Sequence, residues 1–216
     1  MKIVDPSFSV LSMPNEIEAL QLIEKAYRVC YKSEDTIGSI KDTSNFVCKF
    51  LGKKHETPIE HCSITLKIIC DRGVSHELVR HRLASYSQES TRYANYSKDK
   101  FGNEISVIRP MFWKKDSSEY RMWEQAMVCC ESMYMNLLQS GAKAQEARSV
   151  LPNSLKTEII ITANIREWRH IFKLRCSQSA HPQMRQVMIP ILLYFNSKLP
   201  SFFKDVVESL SKEVFL

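Results

Sequence analysis

The chain has 216 residues, of which 44% are hydrophobic and 25% are charged, with a net charge of +6. This length and composition exclude global disorder and predict one domain over residues 1–216. The sequence has no apolar run of membrane-spanning length and no signal-peptide pattern, so we expect a soluble cytoplasmic protein without membrane partners.

Two helices are predicted in the first quarter of the chain. Apolar residues recur at spacings of three and four between Ile17 and Cys30, which predicts a core-facing helix over Glu16–Tyr31. A second helix is predicted over Thr43–Gly52, where Phe46, Val47, Phe50 and Leu51 share one side.

A strand and a short helix are expected next. The segment "SITLKIIC", Ser63–Cys70, alternates apolar and polar residues and is rich in β-branched side chains, which predicts a strand. Asp71 to Gly73 then turn the chain, and Ser75 is expected to cap a short helix that runs through Arg82.

The second half of the chain is predicted to be mainly helical. A long apolar stripe from Tyr120 to Leu138 predicts a helix that stops at Ser140-Gly141, and a shorter helix is expected to stop at Pro152. The segment "TEIIITAN", Thr157–Asn164, predicts a second strand, followed by the helix "REWRHIFKLR" and a later helix kinked at Pro190. Few strands among many helices indicate one α+β domain.

Cysteine usage favours a reducing compartment. The seven cysteines lie mostly in apolar periodic stretches and form no C-x-x-C pair, so we expect buried, inert thiols rather than zinc ligands or a redox pair. The five glycines are too far apart for a glycine-rich phosphate loop. If the protein binds phosphates, side chains must therefore make many of the contacts.

The segment "RHRLASYSQESTRY", from Arg80 to Tyr93, interleaves arginines and serines. Guanidinium forks beside hydroxyl donors suit a phosphate monoester, although a polar surface turn is an equal alternative at this point. A nucleophilic Ser90 is disfavoured, because no G-x-S-x-G turn surrounds it.

Two further segments could present polar side chains to a ligand. "HETPIEH" places its histidines six residues apart around Pro58, which is not the spacing of a helical zinc motif, so we expect no metal there. It could instead be a loop that presents His55, Thr57 and Glu60, or a helix-end cap.

In "REWRHIFKLR", Arg175 continues an apolar stripe, so its guanidinium is either paired near the surface or directed into a pocket. Arg166 and His170 share another face of that helix.

These segments together resemble the flavin-dependent thymidylate synthase family. The family signature is R-H-R, seven residues, S, one residue, R, and Arg80-His81-Arg82, Ser90 and Arg92 match it without a gap. "HETPIEH", "ARSVLPNSLKTEIIITANIREWRHIFKLR" and "SAHPQMR" match in the same order, so the resemblance spans roughly Gly52 to Leu193.

The resemblance implies a fold and a reaction. The fold would be the thymidylate synthase-complementing protein fold, with a small, mostly antiparallel sheet packed with many helices. The reaction would be the reductive methylation of dUMP to dTMP, with 5,10-methylenetetrahydrofolate as carbon donor and NADPH as reductant through FAD. It also implies a homotetramer with shared active sites. All four small molecules are anions, so the arginine clusters would supply counter-charge.

The family pattern also assigns residues to ligands. Flavin contacts fall to His55, Thr57, Glu60, Arg80, His81, Arg82, Gln88, Asn164, Ile165, Arg166 and His170. Nucleotide contacts fall to Glu77, Leu78, Val79, Arg80, Gln88, Glu89, Ser90, Thr91, Arg92, Arg148 and Arg175. Arg175 takes the catalytic role, because a fixed cation beside N3 and O2 of uracil would stabilise the charge that develops when the ring is activated.

Two positions depart from the family pattern, and two alternatives remain open. Glu77 stands where some members have glutamine, and Gln88 stands where others have glutamate, so their hydrogen bonds to the nucleotide are not predicted. Cys176 is the nearest candidate for a nucleophile, but no neighbouring base is evident. The alternative class is an RNA-binding protein that would use the arginines of "RHRLASYSQESTRY" with Tyr86 and Tyr93, against which no RNA-binding motif is present.

Overall fold

The computed structural model describes residues 1–214, and their side chains as far as Leu210. Within this range there are eight α-helices: α1 Glu16–Tyr31, α2 Ile40–Gly52, α3 Arg72–Leu78, α4 Ser118–Gln139, α5 Ala144–Ala147, α6 Ile165–Arg175, α7 Pro182–Lys198 and α8 Pro200–Val214. The six strands are β1 Lys2–Val4, β2 Ser7–Ser12, β3 Ser63–Asp71, β4 Ala84–Gln88, β5 Ser106–Ile108 and β6 Lys156–Asn164.

The strands form two small sheets. Four strands pair in the order β2-β3-β6-β4, and β1 pairs with β5 in parallel, with Lys2 opposite Ser106. The α+β class predicted from the sequence, with a small, mostly antiparallel sheet among many helices, is confirmed. No helix in residues 1–214 is long and apolar enough to cross a membrane.

The chain divides into two compact units. The first contains residues 1–7, 68–80 and 86–160, and the second contains residues 8–67, 81–85 and 161 onward. The first unit has its core along α4, where Tyr120, Trp123, Met127 and Tyr134 lie at helical spacing and are buried. Ser117 caps this helix by accepting a hydrogen bond from the Tyr120 amide.

The second unit is centred on α6. Trp168 and Phe172 stack within this helix, and both pack against Phe195 of α7, with ring centroids 5.2 and 5.3 Å away. The Trp168 indole also donates a hydrogen bond to the Ile64 carbonyl, which fixes α6 against β3. Because these side chains are fully buried, they hold α6 in place. The backbone positions from which its polar side chains extend are therefore fixed.

The main helices and both predicted strands agree with the structure. α1 has the predicted bounds because Asn15 and Glu18 form a reciprocal capping box at its start. α2 begins three residues before the prediction, at Ile40, because Ser39 and Asp42 form a second capping box. Pro190 lies inside α7, where the later helix was expected.

The prediction for the segment after β3 was wrong in two respects. Asp71, not Ser75, caps α3, and its carboxylate accepts a hydrogen bond from the Val74 amide at 2.7 Å. Ser75 instead lies inside the helix and donates back to the Arg72 carbonyl. The helix ends at Leu78 rather than Arg82, and Ala84–Gln88 forms the edge strand β4.

The cysteine prediction holds only in part. Cys62, Cys70 and Cys176 are buried, whereas Cys30, Cys48 and Cys129 are exposed and Cys130 is intermediate. All seven are free thiols. The four thiols that are exposed or intermediate do not have the predicted role of core residues.

Candidate active site

The second unit contains a cavity of about 550 Å³ beside the start of α6. Its lining residues are Glu56, Glu60, Leu83, Asn164, Arg166, Glu167, His170 and Lys173. Four of them, Glu60, Asn164, Arg166 and His170, are residues that the family resemblance assigns to the flavin. The structure therefore brings together residues from two distant segments of the sequence.

The junction of β6 and α6 positions the cationic side of this cavity. Asn164 ends the strand and caps the helix, its side chain accepting a hydrogen bond from the Glu167 amide at 2.9 Å. Arg166, His170 and Lys173 then follow at spacings of four and three, so they share one helix face. Arg166 is in the first turn of α6 and Lys173 in the last, so the nitrogen-bearing side chains line the cavity along the helix and can hold an anionic ligand.

Carboxylates on the facing segment lie close to Arg166 and Lys173. Arg166 Nη1 donates to Glu60 Oε1 at 2.5 Å, and its Nε lies 3.9 Å from Glu56. The Lys173 ammonium is also 3.9 Å from Glu56. Because the Arg166 side chain is 48% exposed, its pair with Glu60 is worth little in water and can yield to a ligand phosphate.

Within the segment "HETPIEH", Thr57–His61 forms a short 3₁₀ helix. His55 lies before it and is exposed, its Nδ1 3.5 Å from the Tyr31 hydroxyl and its ring 5.9 Å from that of Phe50. Both alternatives for this segment have support, since the His55 amide also bonds the Phe50 carbonyl at the end of α2. Thr57 is exposed as well.

Arg175, the last residue of α6, is directed towards the second residue of the R-H-R motif. Its Nε donates to His81 Nε2 at 3.0 Å, and the opposite ring nitrogen, Nδ1, lies 3.5 Å from Glu167 Oε1. His81 is only 5% exposed. Burial, together with the charge of Arg175 and the nearby His170 ring, lowers the pKa of His81 to about 4. The imidazole is therefore neutral at physiological pH.

In the first unit, the segment assigned to the nucleotide is anchored by internal hydrogen bonds. Gln88 donates to Ser75 Oγ at 2.9 Å and to Thr157 Oγ1 at 3.2 Å, so its amide is engaged within the protein. Glu89 accepts bonds from the Tyr96 hydroxyl at 2.8 Å and from Lys156 at 3.2 Å. These contacts hold the main chain immediately before Ser90.

Ser90 and Arg92 are on the surface, as a ligand-binding role requires. The Arg92 amide donates to Ser90 Oγ at 3.3 Å, and Arg92 Nε donates to Gln145 at 3.3 Å. Thr91, between them, is buried. The serine hydroxyl and the guanidinium therefore project outward from a fixed turn.

The remaining predicted residues divide by exposure. Arg80, Arg82, Arg148 and Val79 are exposed, and Glu77 is intermediate. Leu78 and Ile165 are fully buried, so only their main chains could contact a ligand. The Ile165 amide already donates to the Cys62 carbonyl at 2.8 Å.

Four lining residues were not found from the sequence: Glu56, Leu83, Glu167 and Lys173. Lys173 carried a usable signal, because it lies seven residues after Arg166 on the same helix face. Glu56 lies inside "HETPIEH" and could have been grouped with its neighbours. No sequence pattern singles out Glu167, because its contact with His81 depends on the tertiary structure.

Two alternatives lose support from the geometry. Burial raises the pKa of the Cys176 thiol to about 12, so this residue is a poor nucleophile. The Tyr86 hydroxyl donates to the Leu78 carbonyl at 2.8 Å, and its ring is half-buried, which disfavours it as a base-stacking platform for RNA. Tyr93, by contrast, is 75% exposed.

The chain is similar to proteins of known families along most of its length. Residues 13–201 match the family described as Thymidylate synthase complementing protein. A flavin-dependent thymidylate synthase of Geobacter sulfurreducens is 36% identical over 186 residues, which are 83% of this chain and 78% of the relative. Another from Corynebacterium aurimucosum is 32% identical, covering 87% of this chain and 80% of the relative.

A third relative and a solved structure extend these findings. A flavin-dependent thymidylate synthase of Pyrococcus furiosus is 37% identical over 69% of this chain, and the match spans about three fifths of that relative, 61%. The crystal structure of a UMP/dUMP methylase, PolB, from Streptomyces cacaoi bound with 5-Br dUMP has a TM-score of 0.78. It is 21% identical, with 94% of this chain and 96% of that chain covered. This likeness confirms the fold expected from the resemblance.

Proposed function

Because the chain belongs to the thymidylate synthase complementing protein family and is an enzyme of this kind, we propose that it catalyses the reductive methylation of dUMP to dTMP. The carbon donor would be 5,10-methylenetetrahydrofolate and the reductant NADPH, with FAD as the bound cofactor. The observation that carries the proposal is the cavity that collects Glu60, Asn164, Arg166 and His170 at the start of α6.

The chemistry requires both a carbon donor and a reductant. The methylene carbon breaks its bonds to the two folate nitrogens and forms a bond to C5 of uracil. C5 loses its proton to solvent, and tetrahydrofolate is released. The methylene carbon must also gain the equivalent of a hydride to become a methyl group, and NADPH supplies that pair of electrons. Bound FAD would carry the hydride from NADPH to this site.

The residues of the cavity fit a flavin dinucleotide. Arg166 and Lys173 offer positive charge to a pyrophosphate, His170 offers a ring N–H, and Asn164 marks the helix N-terminus beside Arg166. Glu60 now engages Arg166 and would have to release it or share it with the phosphates. In this proposal His55, Thr57, Arg80, Arg82 and the main chain of Ile165 complete the flavin contacts.

The family pattern assigns nucleotide binding to the residues around Ser90 and to Arg175. Ser90 and Arg92, held outward from a fixed turn, would bind the phosphate of dUMP, with Arg148 as a further cation. Glu77 to Arg80 and Gln88 to Thr91 would complete the nucleotide contacts. Arg175 would lie beside N3 and O2 of the uracil and stabilise the negative charge that develops there, without transferring a proton.

The activity requires no enzyme nucleophile, no metal ion and no nucleic acid polymer. The active enzyme would be a cytoplasmic homotetramer in which neighbouring subunits supply residues to each site. This arrangement matters for mutational tests, because variants of different residues could complement each other when mixed in one tetramer.

Flavin content and substrate-dependent oxidation of NADPH test the proposal. The purified protein should be yellow and contain about one FAD per chain, and NADPH oxidation with dTMP formation should require dUMP and the folate together. A colourless protein that takes up no FAD would contradict the proposal. Salt-sensitive binding of oligonucleotides without this activity would instead support the RNA-binding alternative.

A further inference from the structure

Glu167, His81 and Arg175 form a continuous line of contacts in the second unit. Glu167 Oε1 lies 3.5 Å from His81 Nδ1, and Arg175 Nε donates to His81 Nε2 at 3.0 Å. The side chains of Glu167 and His81 are 8% and 4% exposed. The His170 ring also faces this line, edge-on to the His81 ring with 5.8 Å between the ring centroids.

The two contacts determine which nitrogen of His81 carries the proton. Arg175 Nε always bears a hydrogen, so His81 Nε2 can bond to it only as an unprotonated acceptor. A neutral imidazole has one N–H group, which must then be at Nδ1 and face the Glu167 carboxylate. This arrangement is the less common tautomer of a free histidine, so it requires an acceptor at Nδ1 to maintain it.

Burial explains why the ring stays neutral beside a carboxylate. An imidazolium would donate from both nitrogens, and its Nε2 hydrogen would face the hydrogen of the Arg175 guanidinium. Burial and the Arg175 charge accordingly lower the pKa of His81, while burial raises the pKa of Glu167. The line therefore holds a neutral ring between the Glu167 carboxyl group at one end and the Arg175 guanidinium at the other.

We propose that Glu167 is a positioning residue for the methylation reaction, which acts through the Nδ1–H tautomer of His81 to orient the guanidinium of Arg175. The family resemblance assigns His81 to the flavin, whereas its burial and its contacts with Glu167 and Arg175 assign it to the support of the catalytic arginine. The inference rests on the proposed function only for the role of Arg175. The tautomer and the contacts are properties of the protein alone.

Two substitutions of Glu167 distinguish the effect of its hydrogen-bond acceptor from the effect of its side-chain volume. Glu167→Leu keeps a side chain of similar size but removes the carboxyl oxygen next to Nδ1–H, so the tautomer that binds Arg175 is less favoured. We expect kcat to fall by about 10- to 100-fold, with FAD content and the KM for dUMP changing by less than about threefold. Glu167→Gln retains an amide oxygen as acceptor and should restore kcat to within about fivefold of the wild type.

The tautomer can be observed without any assay of activity. The flavoprotein as purified, labelled with ¹⁵N-histidine, has six histidines, and the His81 signal is the one missing from His81→Gln. Wild type and Glu167→Gln should show a protonated Nδ1 and an unprotonated Nε2 at His81. Glu167→Leu should show an increased population of the other tautomer. Glu208→Gln, an exposed substitution in the same unit, is the matched control and should change neither the spectrum nor kcat.

The outcomes distinguish this inference from the proposed function. A protonated Nε2 at His81 in the wild type would overturn the inference, as would a wild-type kcat in Glu167→Leu. If the wild type has the expected tautomer but forms no dTMP, the proposed function is wrong. The catalytic role proposed for Glu167, His81 and Arg175 is then wrong as well. If dTMP forms and only the tautomer differs, the proposed function stands and the role given to Glu167 is wrong.

Discussion

The guanidinium of Arg169 binds both carboxylate oxygens of Asp205, with Nη1 to Oδ1 and Nη2 to Oδ2 each at 2.7 Å. Arg169 is 1% exposed and also donates to Glu56 Oε1, at 3.2 Å from Nη2, and to the Phe202 carbonyl. It therefore ties α6 to α8 and to the residue before the 3₁₀ helix of "HETPIEH". Although burial raises the pKa of Asp205, its bonds with Arg169 lower it more, so the pair is ionic.

Replacing this arginine should destabilise the protein strongly. Arg169→Met removes the nearest cation from Glu56 and Asp205, and we expect the free energy of unfolding to fall by about 2–4 kcal/mol. This loss of unfolding free energy is smaller than for a fully buried ion pair, because the Asp205 side chain is 57% exposed and can be rehydrated. The control, Lys204→Met, removes a 72% exposed lysine and should cost less than about 0.5 kcal/mol. Equal urea midpoints for the two variants would contradict this interpretation of Arg169.

Substitution of Arg175 should affect dTMP formation more than FAD binding, and substitution of Arg166 should have the opposite effect. Arg175→Ala should abolish dTMP formation with FAD content largely intact, because this arginine is assigned to the nucleotide. Arg166→Ala should lose FAD preferentially, because its side chain lines the cavity with Asn164 and His170. Absorbance of the purified variants and dTMP yield at saturating FAD measure both effects. Loss of flavin from Arg175→Ala to the same extent as from Arg166→Ala would show that the assignment is wrong.

Cys176 should be dispensable for the reaction despite its position beside Arg175. Its thiol is 1% exposed, and burial raises its pKa to about 12, so almost no thiolate is present at neutral pH. We expect Cys176→Ala to keep kcat within about threefold of the wild type, with a modest loss of stability from the small cavity. In the native protein, an alkylating reagent should modify the exposed Cys48 and Cys129 but not Cys176. A kcat close to zero in a folded, FAD-containing Cys176→Ala would restore the nucleophile alternative.

His81 should make stability depend on pH in the acid range. Its pKa falls from 6.5 in the unfolded chain to about 4 in the folded protein, so between these values only the unfolded state binds the proton. Stability is therefore fully present above pH 6.5 and is lost as the pH falls, by about 3 kcal/mol in total at pH 4. His81→Gln keeps an acceptor for Arg175 but cannot titrate, so its stability deficit relative to the wild type should shrink over this range. A deficit that does not change with pH would mean that His81 is charged in the folded protein or has an unshifted pKa.

The sequence predicted those elements whose boundaries are determined locally. Asn15 and Glu18 define the start of α1 within four residues, and the alternation of Ser63–Cys70 defines β3 without reference to the rest of the chain. The spacing of Arg166 and His170 likewise placed both on one face of a helix, and both line the cavity. The periodicity of the sequence is sufficient to predict a helix or strand where residues close together in the chain determine its geometry.

Other features depend on partners far along the chain and could not be predicted in this way. β4 has the polar sequence "ASYSQ", which lacks an apolar alternation and becomes a strand only because β6 is available to pair with it. Glu167 is separated by 86 residues from His81, and only the packing of α6 in the second unit brings them to 3.5 Å. The motif R-H-R indicated that His81 matters, but not which residues contact its two nitrogens.

The most direct test of the proposed function follows the carbon atom itself. The purified protein with dUMP, NADPH and folate labelled with ¹³C at the methylene carbon should form dTMP that carries the label in its methyl group. The Arg175→Ala variant, run beside it with the same FAD content, should form none. Labelled dTMP from the wild type alone is the result that the proposal predicts. Unlabelled dUMP recovered unchanged from an FAD-loaded wild-type protein would contradict it.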